Sequence, residues 1–158
     1  MARPFKRWDL VAIVAITALV FAVVILPALN HAKNKAGRIR CVSYLKQIGL
    51  SYRIYANDHH DFYPASVGAT NPVIRAEALA GRTAPIFQAL SNELSETLIL
   101  VCPTDTRPRA VNWNELTTTN LSYFVGLDAR DTKPEMILTG DRNLALDGEL
   151  LSGVVPLG

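Results

Sequence analysis

The sequence predicts an α+β protein, in which a long N-terminal transmembrane and amphipathic helix packs on a small antiparallel β-sheet head. Two observations predict this arrangement. First, an apolar run covers residues 10–29, and apolar side chains then continue at spacings of three and four, as in a helix. Second, short runs of β-branched and aromatic residues beyond residue 97 alternate with turn-forming segments, as in strands.

The apolar run is long enough to cross a bilayer. Residues 10–26 contain one side chain that is not apolar, Thr17, and residues 27–29 extend the run to a length that spans about 30 Å as a helix. The preceding basic segment, residues 1–9, also suits a cleaved secretory signal. The run is longer than usual for such a signal, and no small-residue cleavage site follows it, so the sequence favours a retained anchor.

The amphipathic extension is predicted over residues 30–58, which makes one helix from about Asp9 to about Asp58, with a kink or a local loosening at Pro27. Its apolar stripe, which we expect to pack on the head, consists of Ile39, Val42, Leu45, Ile48, Tyr52 and Tyr55. Basic residues without any acidic residue occupy positions 32–56, where anionic lipid head groups would attract them. The formal charge of the chain is only +2, and Tyr44, Tyr52 and Tyr55 have core spacing, so nucleic-acid binding is not expected.

The globular head is predicted over residues 59–158 and its elements are short. Residues 66–82 are interpreted as a loop and residues 85–94 as a helix with Pro85 in its first turn. Strands are predicted at residues 98–101, 121–126 and 136–139, and residues 144–155 form a last hairpin or fray.

The chain has two cysteines, Cys41 on the long helix and Cys102 in the head. They form either a disulfide or two buried thiols, and one cysteine in each part favours the disulfide. A loop of about sixty residues closed in this way would contribute roughly 4 kcal/mol. Such a bond forms in an oxidising compartment. It therefore favours an extracytoplasmic head, which the nearly balanced basic residues on the two sides of the apolar run do not decide.

Two polar clusters are weak candidates for metal binding. One comprises Asp58, His59, His60 and Asp61, whose alternative interpretation is the polar end of a helix. The other, for calcium, comprises Asp128, Asp131, Glu135 and Asp141, whose alternative is a solvated loop. Residues 140–143 are interpreted as a turn with an internal pair of Asp141 and Arg142. Catalytic and nucleotide-binding motifs are absent from the sequence, so neither an enzyme nor a bound cofactor is expected.

Several motifs in the same order resemble a known family. They are Leu26-Pro27-Ala28-Leu29, Cys41-x-x-x-Leu45-Lys46-Gln47-Ile48-Gly49-Leu50, Tyr55-Ala56-Asn57-Asp58, Tyr63-Pro64, Val101-Cys102-Pro103-Thr104-Asp105-Thr106, Ser122-Tyr123-Phe124-Val125-Gly126-Leu127-Asp128 and Gly140-Asp141-Arg142-Asn143. The chain is similar to the prepilin-type proteins related to the type II secretion pseudopilins. It is most similar to the large group whose members often carry a C-terminal His-x9-Asp-Gly element.

The sequence departs from this family in two places. The family begins its helix with a Gly-Phe-Thr-Leu-x-Glu motif that is cut after the glycine and methylated, whereas residues 5–10 read Phe-Lys-Arg-Trp-Asp-Leu. The resemblance places Asp9 where the family has a glutamate used in processing and assembly. The His-x9-Asp-Gly element has no counterpart before Gly158, which fits either a fragment or a naturally short member.

The resemblance implies a pilin-like fold and a structural role in a type II secretion or type IV pilus-like system. The implied location is the inner membrane, with a single span and a periplasmic head. The implied partners are the bilayer and other pseudopilin or secretion-system subunits, including copies of the same chain. The alternatives are a stand-alone membrane-anchored binding or sensor module and, less favoured, a membrane-tethered enzyme.

Overall fold

A computed structural model describes residues 7–66 and 71–142, and the backbone of residues 145–146 and 149–150. The chain divides into two compact units, Met1–Arg38 and Ile39–Gly158. The described part has an α+β composition, with helices in both units and antiparallel strands in the second. The predicted α+β class is therefore confirmed.

Helix α1 covers Arg7–Asp58, a length of 52 residues, and continues through Pro27. The prediction of one long helix is confirmed. Its end is defined by the backbone, because His60 and Asp61 both have positive φ angles, +55° and +65°. The Asp61 N–H donates to the Ala56 carbonyl oxygen at 2.9 Å, which satisfies one of the last carbonyls of the helix.

The second unit is built around one face of α1. Ile48 and Tyr52 are fully buried there, and Leu45 and Tyr55 pack partly buried against the same core. The prediction for the start of this stripe is wrong, because Ile39 and Val42 are exposed. Ile39 lies nine residues before Ile48, which is about 180° around a helix, so these two side chains point to opposite faces.

Helix α2 covers Pro72–Leu79 and helix α3 covers Ala84–Ala89. The prediction of a loop over residues 66–82 is thus wrong for its described second half. The Asn71 side chain accepts a hydrogen bond from the Val73 N–H at 3.0 Å, and Pro72 occupies the first turn, so α2 has a complete start signal despite its small residues. The predicted helix at 85–94 is present but shorter, ending in turns that bury Leu94.

The strand predicted at residues 98–101 is a 3₁₀ turn over Thr97–Leu100, which corrects that prediction. A strand could not continue far beyond this segment, because Pro103 has no N–H group to donate. One carbonyl does pair: Leu100 accepts from the Ser122 N–H at 3.0 Å. Two further 3₁₀ turns cover Trp113–Glu115 and Thr118–Asn120.

The described part of the head contains two small antiparallel sheets. Strand β1, Tyr123–Val125, pairs with β2, Thr139–Asp141, and β3, Ala145–Leu146, pairs with β4, Glu149–Leu150. Strand β2 begins at the last residue of the predicted strand 136–139, and it includes Gly140 and Asp141, for which the sequence predicts a turn. Strands β3 and β4 agree with a hairpin within residues 144–155, whose other residues lie outside the described part.

Two glycines allow β1 and β2 to approach closely. Gly140 lies opposite Phe124, and a Cβ at position 140 would come within 2.5 Å of the Phe124 ring. A Cβ on Gly126 would collide with the Ile137 carbonyl group. A side chain at either position would therefore push the two strands apart.

The Cys41–Cys102 disulfide joins α1 to the head, which confirms the predicted pairing. The two Cα atoms lie 5.0 Å apart, within the ordinary range for disulfides. Both cysteines are buried, and the Cys102 sulfur lies 3.0 Å from the Thr104 hydroxyl. The bond therefore belongs to the core of the second unit.

Replacing both cysteines with alanine should lower the free energy of unfolding of the head by roughly 4 kcal/mol, because the unfolded chain loses a crosslink that closes a long loop. Urea unfolding of the full chain in detergent, followed by the fluorescence of the partly buried Trp113, measures this difference. Reductant should reproduce the loss in the native sequence and leave the double variant unchanged. Equal stability of the two proteins without reductant would contradict the prediction.

Candidate functional site

The first unit presents apolar side chains on every side of α1. This helix is long and apolar enough to cross a membrane, and none of its most apolar stretch is buried within the protein. The one hydroxyl in that stretch, on Thr17, donates to the Ile13 carbonyl oxygen at 2.8 Å and so presents no unsatisfied polar group. The exposed large apolar side chains are Trp8, Leu10, Val11, Ile13, Val14, Ile16, Leu19, Val20, Phe21, Val23, Val24, Leu26 and Leu29.

The second unit carries a further apolar stripe on α1, on the face turned away from the core. We call it the outer stripe, and it consists of Ile39, Val42, Leu50 and Ile54, which are 61%, 52%, 59% and 42% exposed. The sequence interpretation missed Leu50 and Ile54. Their spacing of four residues was the signal that could have found them, because together with Ile39 it defines a second helical face.

A groove of about 260 Å³ lies where the outer stripe meets the turns after α3. We call it the acidic groove. Leu50, Ile54 and Ile99 supply apolar surface, while Glu93 and Glu96 supply carboxylates. The Glu93 Oε2 atom is buried, and within the described part of the chain it has no hydrogen-bond partner. Burial and, to a smaller extent, the negative charge of Glu93 raise the pKa of the nearby Tyr55 hydroxyl.

A second polar site follows the disulfide along the chain. Arg142 donates from Nε and Nη2 to the two carboxylate oxygens of Asp105, at 3.0 and 3.1 Å, and the Ser122 hydroxyl donates to the same carboxylate at 2.8 Å. The turn predicted over residues 140–143 is corrected at Gly140 and Asp141, which lie in β2, and Arg142 forms its bidentate hydrogen bonds with Asp105, while the Asp141 charge also acts on its guanidinium. Asp105 and Arg142 are 37 positions apart in the sequence, so only the folded structure could reveal this pair.

The Arg142 guanidinium lowers the pKa of the Asp105 carboxyl from its usual value to about 2, with further help from the Ser122 hydroxyl. Both carboxylate oxygens are already engaged, so the arrangement suits a structural ion pair better than an acid–base catalyst. A shallow cavity of about 140 Å³ lies beside it, lined by Cys102, Thr104, Asp105, Thr106 and Asp141.

The weak metal candidate at 58–61 forms the end of α1. The His59 ring stacks on Tyr55 with centroids 3.7 Å apart, and His59 Nδ1 donates to the Tyr55 carbonyl oxygen at 2.8 Å. His60 and Asp61, which follow the helix, have backbone φ angles in the left-handed region. Within residues 7–66 and 71–142, no group of three or more His, Cys, Asp or Glu side chains is placed to hold a metal ion.

The calcium candidates are distributed over separate contacts. Asp128 accepts from Arg75 Nη2 at 2.8 Å, and Asp131 accepts from the Tyr63 hydroxyl at 3.1 Å. Glu135 is exposed, and Asp141 lies in β2. Asp9, for which the family resemblance implies a role in processing and assembly, is exposed in the first turn of α1, where a carboxylate is favoured by the helix dipole.

Comparison with known proteins identifies no relative: no family model, no curated protein and no solved structure matches this chain. The geometry of the described residues therefore carries the functional argument. It offers apolar surface on α1, the acidic groove, and a disulfide with an ion pair that hold the head together.

The Asp105 ion pair should make the stability of the head depend on pH in the acid range. The folded state holds the pKa of Asp105 at about 2, below the usual value of 3.8, so its contribution is complete above pH 4 and is lost as the pH falls from 4 to 2. The Asp105 side chain is only 10% exposed, and we expect a loss on the order of 1 to 2 kcal/mol. Urea unfolding between pH 7 and pH 2 measures it.

Asp105→Asn should remove this part of the pH dependence and lower stability at pH 7 by a similar amount. Asp128→Asn is the matched control, because Asp128 also pairs with an arginine but its side chain is 65% exposed. The assignment is wrong if the two variants have the same stability and the same acid profile.

Proposed function

We propose that this protein is a single-pass inner-membrane protein with a periplasmic head, and that it acts as a pseudopilin-like structural component of a type II secretion or type IV pilus-like system. Its work would be assembly, through lateral packing of α1 with other subunits or with copies of itself. The observation that carries the proposal is the exposed apolar surface of α1, which is present in the first unit and again in the outer stripe of the second.

The first unit supports membrane anchoring for a physical reason. Exposing more than a dozen large apolar side chains to water is unfavourable, whereas hydrocarbon solvates them and the helix satisfies its own backbone groups. Small residues on the same segment, Thr17, Ala18 and Ala22, would allow another helix to approach closely.

The head supports a location outside the cytoplasm and a structural role. The Cys41–Cys102 disulfide persists in oxidising compartments, which favours a periplasmic head. The polar network beside it has its charges paired with one another, and the weak metal candidates are engaged in helix-end and loop contacts. These features fit a subunit whose surfaces are used for binding other subunits.

Photocrosslinking in intact membranes tests assembly. A photoreactive amino acid at Val20 of the full chain should give a crosslinked product that contains a second copy or another membrane subunit. Ala18→Phe should reduce that product several-fold, because the larger ring separates the helices, whereas Val24→Ile, which barely changes the surface, should not. A chain that crosslinks only to lipid, with the secretion machinery present, would refute assembly.

The alternative is a stand-alone anchored binding or sensor module, and the residues before the apolar segment favour it. Residues 5–10 lack the glycine after which prepilins are cut. The mass of the mature N-terminus separates the two possibilities. Cleavage near Trp8 with methylation supports the pilin-type pathway, and an intact Met1 supports a permanent anchor.

A further inference from the structure

We propose that the acidic groove of one copy binds the basic turn of a second copy, which consists of Ile39, Arg40 and Val42 on α1. The chains would then associate head to tail. This inference rests on the self-association proposed above and identifies the surfaces that carry it. The groove comprises Leu50, Ile54, Glu93, Glu96 and Ile99, together with the polar residues between them.

The described residues that line the groove include no lysine or arginine. Glu93 has a buried carboxylate oxygen without a hydrogen-bond partner among the described residues, and Glu96 adds a second, exposed carboxylate nearby. Two neighbouring carboxylates attract a cation, and a guanidinium or ammonium group is the partner that pairs with a carboxylate most strongly. The carboxylates therefore select a basic occupant.

The apolar part of the groove restricts the occupant further. Leu50 and Ile54 are exposed on one side, and the partly buried Ile99 lies on the other. A basic side chain with apolar neighbours fits such a surface, because its stem packs on the apolar side chains while its charged end reaches the carboxylates.

This chain supplies that chemistry itself. Ile39, Arg40 and Val42 form one exposed turn of α1, and the four basic residues of the surrounding stretch are Lys33, Lys35, Arg38 and Arg40. These four side chains are exposed and form no salt bridge with any described residue. Positions 32–56 contain no acidic residue. The charge of this stretch is thus complementary to the groove, and the stretch is present on every copy.

The contact joins two different surfaces and therefore repeats. Arg40 lies ten residues before Leu50 on α1, so with parallel helices the second copy is displaced by roughly 15 Å along the helix axis. In such a pair, one copy still has an unoccupied groove and the other still has an unoccupied basic turn. Association of this kind builds an open chain of copies when it does not close into a ring.

Photocrosslinking from Leu50 tests the proposal on the full chain in membranes. The expected product is a dimer in which the probe is attached to residues 39–42 of a second copy. Arg40→Glu and Glu96→Lys should each lower its yield roughly tenfold, because each places like charges together, and the double variant should recover most of the yield. Arg109→Glu and Glu135→Lys are matched controls, because they reverse exposed charges outside the groove and the basic turn.

The Cys41–Cys102 disulfide, measured by mass without reductant, verifies that each variant folds. The same membranes carry the Val20 probe in a parallel sample. A Val20 dimer without a Leu50 dimer, a Leu50 product with lipid or another protein, or a double variant that does not recover would each overturn the groove contact and leave assembly standing. Failure of both probes would overturn both proposals.

Discussion

The Cys41–Cys102 disulfide is the contact on which the order of the head depends, because it fixes an irregular segment to the one long, regular element of the chain. Three residues beyond Cys102, Asp105 binds Arg142 and Ser122, which flank the two paired strands β1 and β2. The Ser122 N–H also donates to Leu100, just before the disulfide. A continuous series of covalent and polar contacts therefore runs from α1 to the sheet.

Two arginines satisfy backbone carbonyl groups that lie outside the strands. Arg75 donates to the carbonyl oxygens of Ala65 and Leu127, and Arg107 donates to those of Thr118 and Leu121. A guanidinium has five donors in a fixed plane, so Arg75 joins two separate segments, and Arg107 satisfies two carbonyl groups at the 3₁₀ turn Thr118–Asn120.

Sequence periodicity was a good guide where neighbouring residues decide the structure, and a poor one where distant contacts decide it. The length of α1 followed from its apolar pattern, and the burial of Tyr52 followed from its spacing. The exposure of Ile39 and Val42 did not, because a stripe drawn through spacings of three and four drifts around the helix. Residues 98–101 have a strand-like composition, but residues 97–100 form a 3₁₀ turn, and the Leu100 carbonyl accepts a hydrogen bond from the distant Ser122.

The sequence by itself determined the long apolar helix, the α+β class and the two cysteines available for a disulfide, because each depends on composition or on spacing along one element. Tertiary structure decided which carboxylate Arg142 binds, since Asp105 lies 37 residues away and Asp141 is its neighbour. It also decided that Glu93 keeps a buried oxygen beside Leu50 and Ile54. A groove between a helix and distant turns has no pattern in the sequence, because it arises only when the chain brings those segments together.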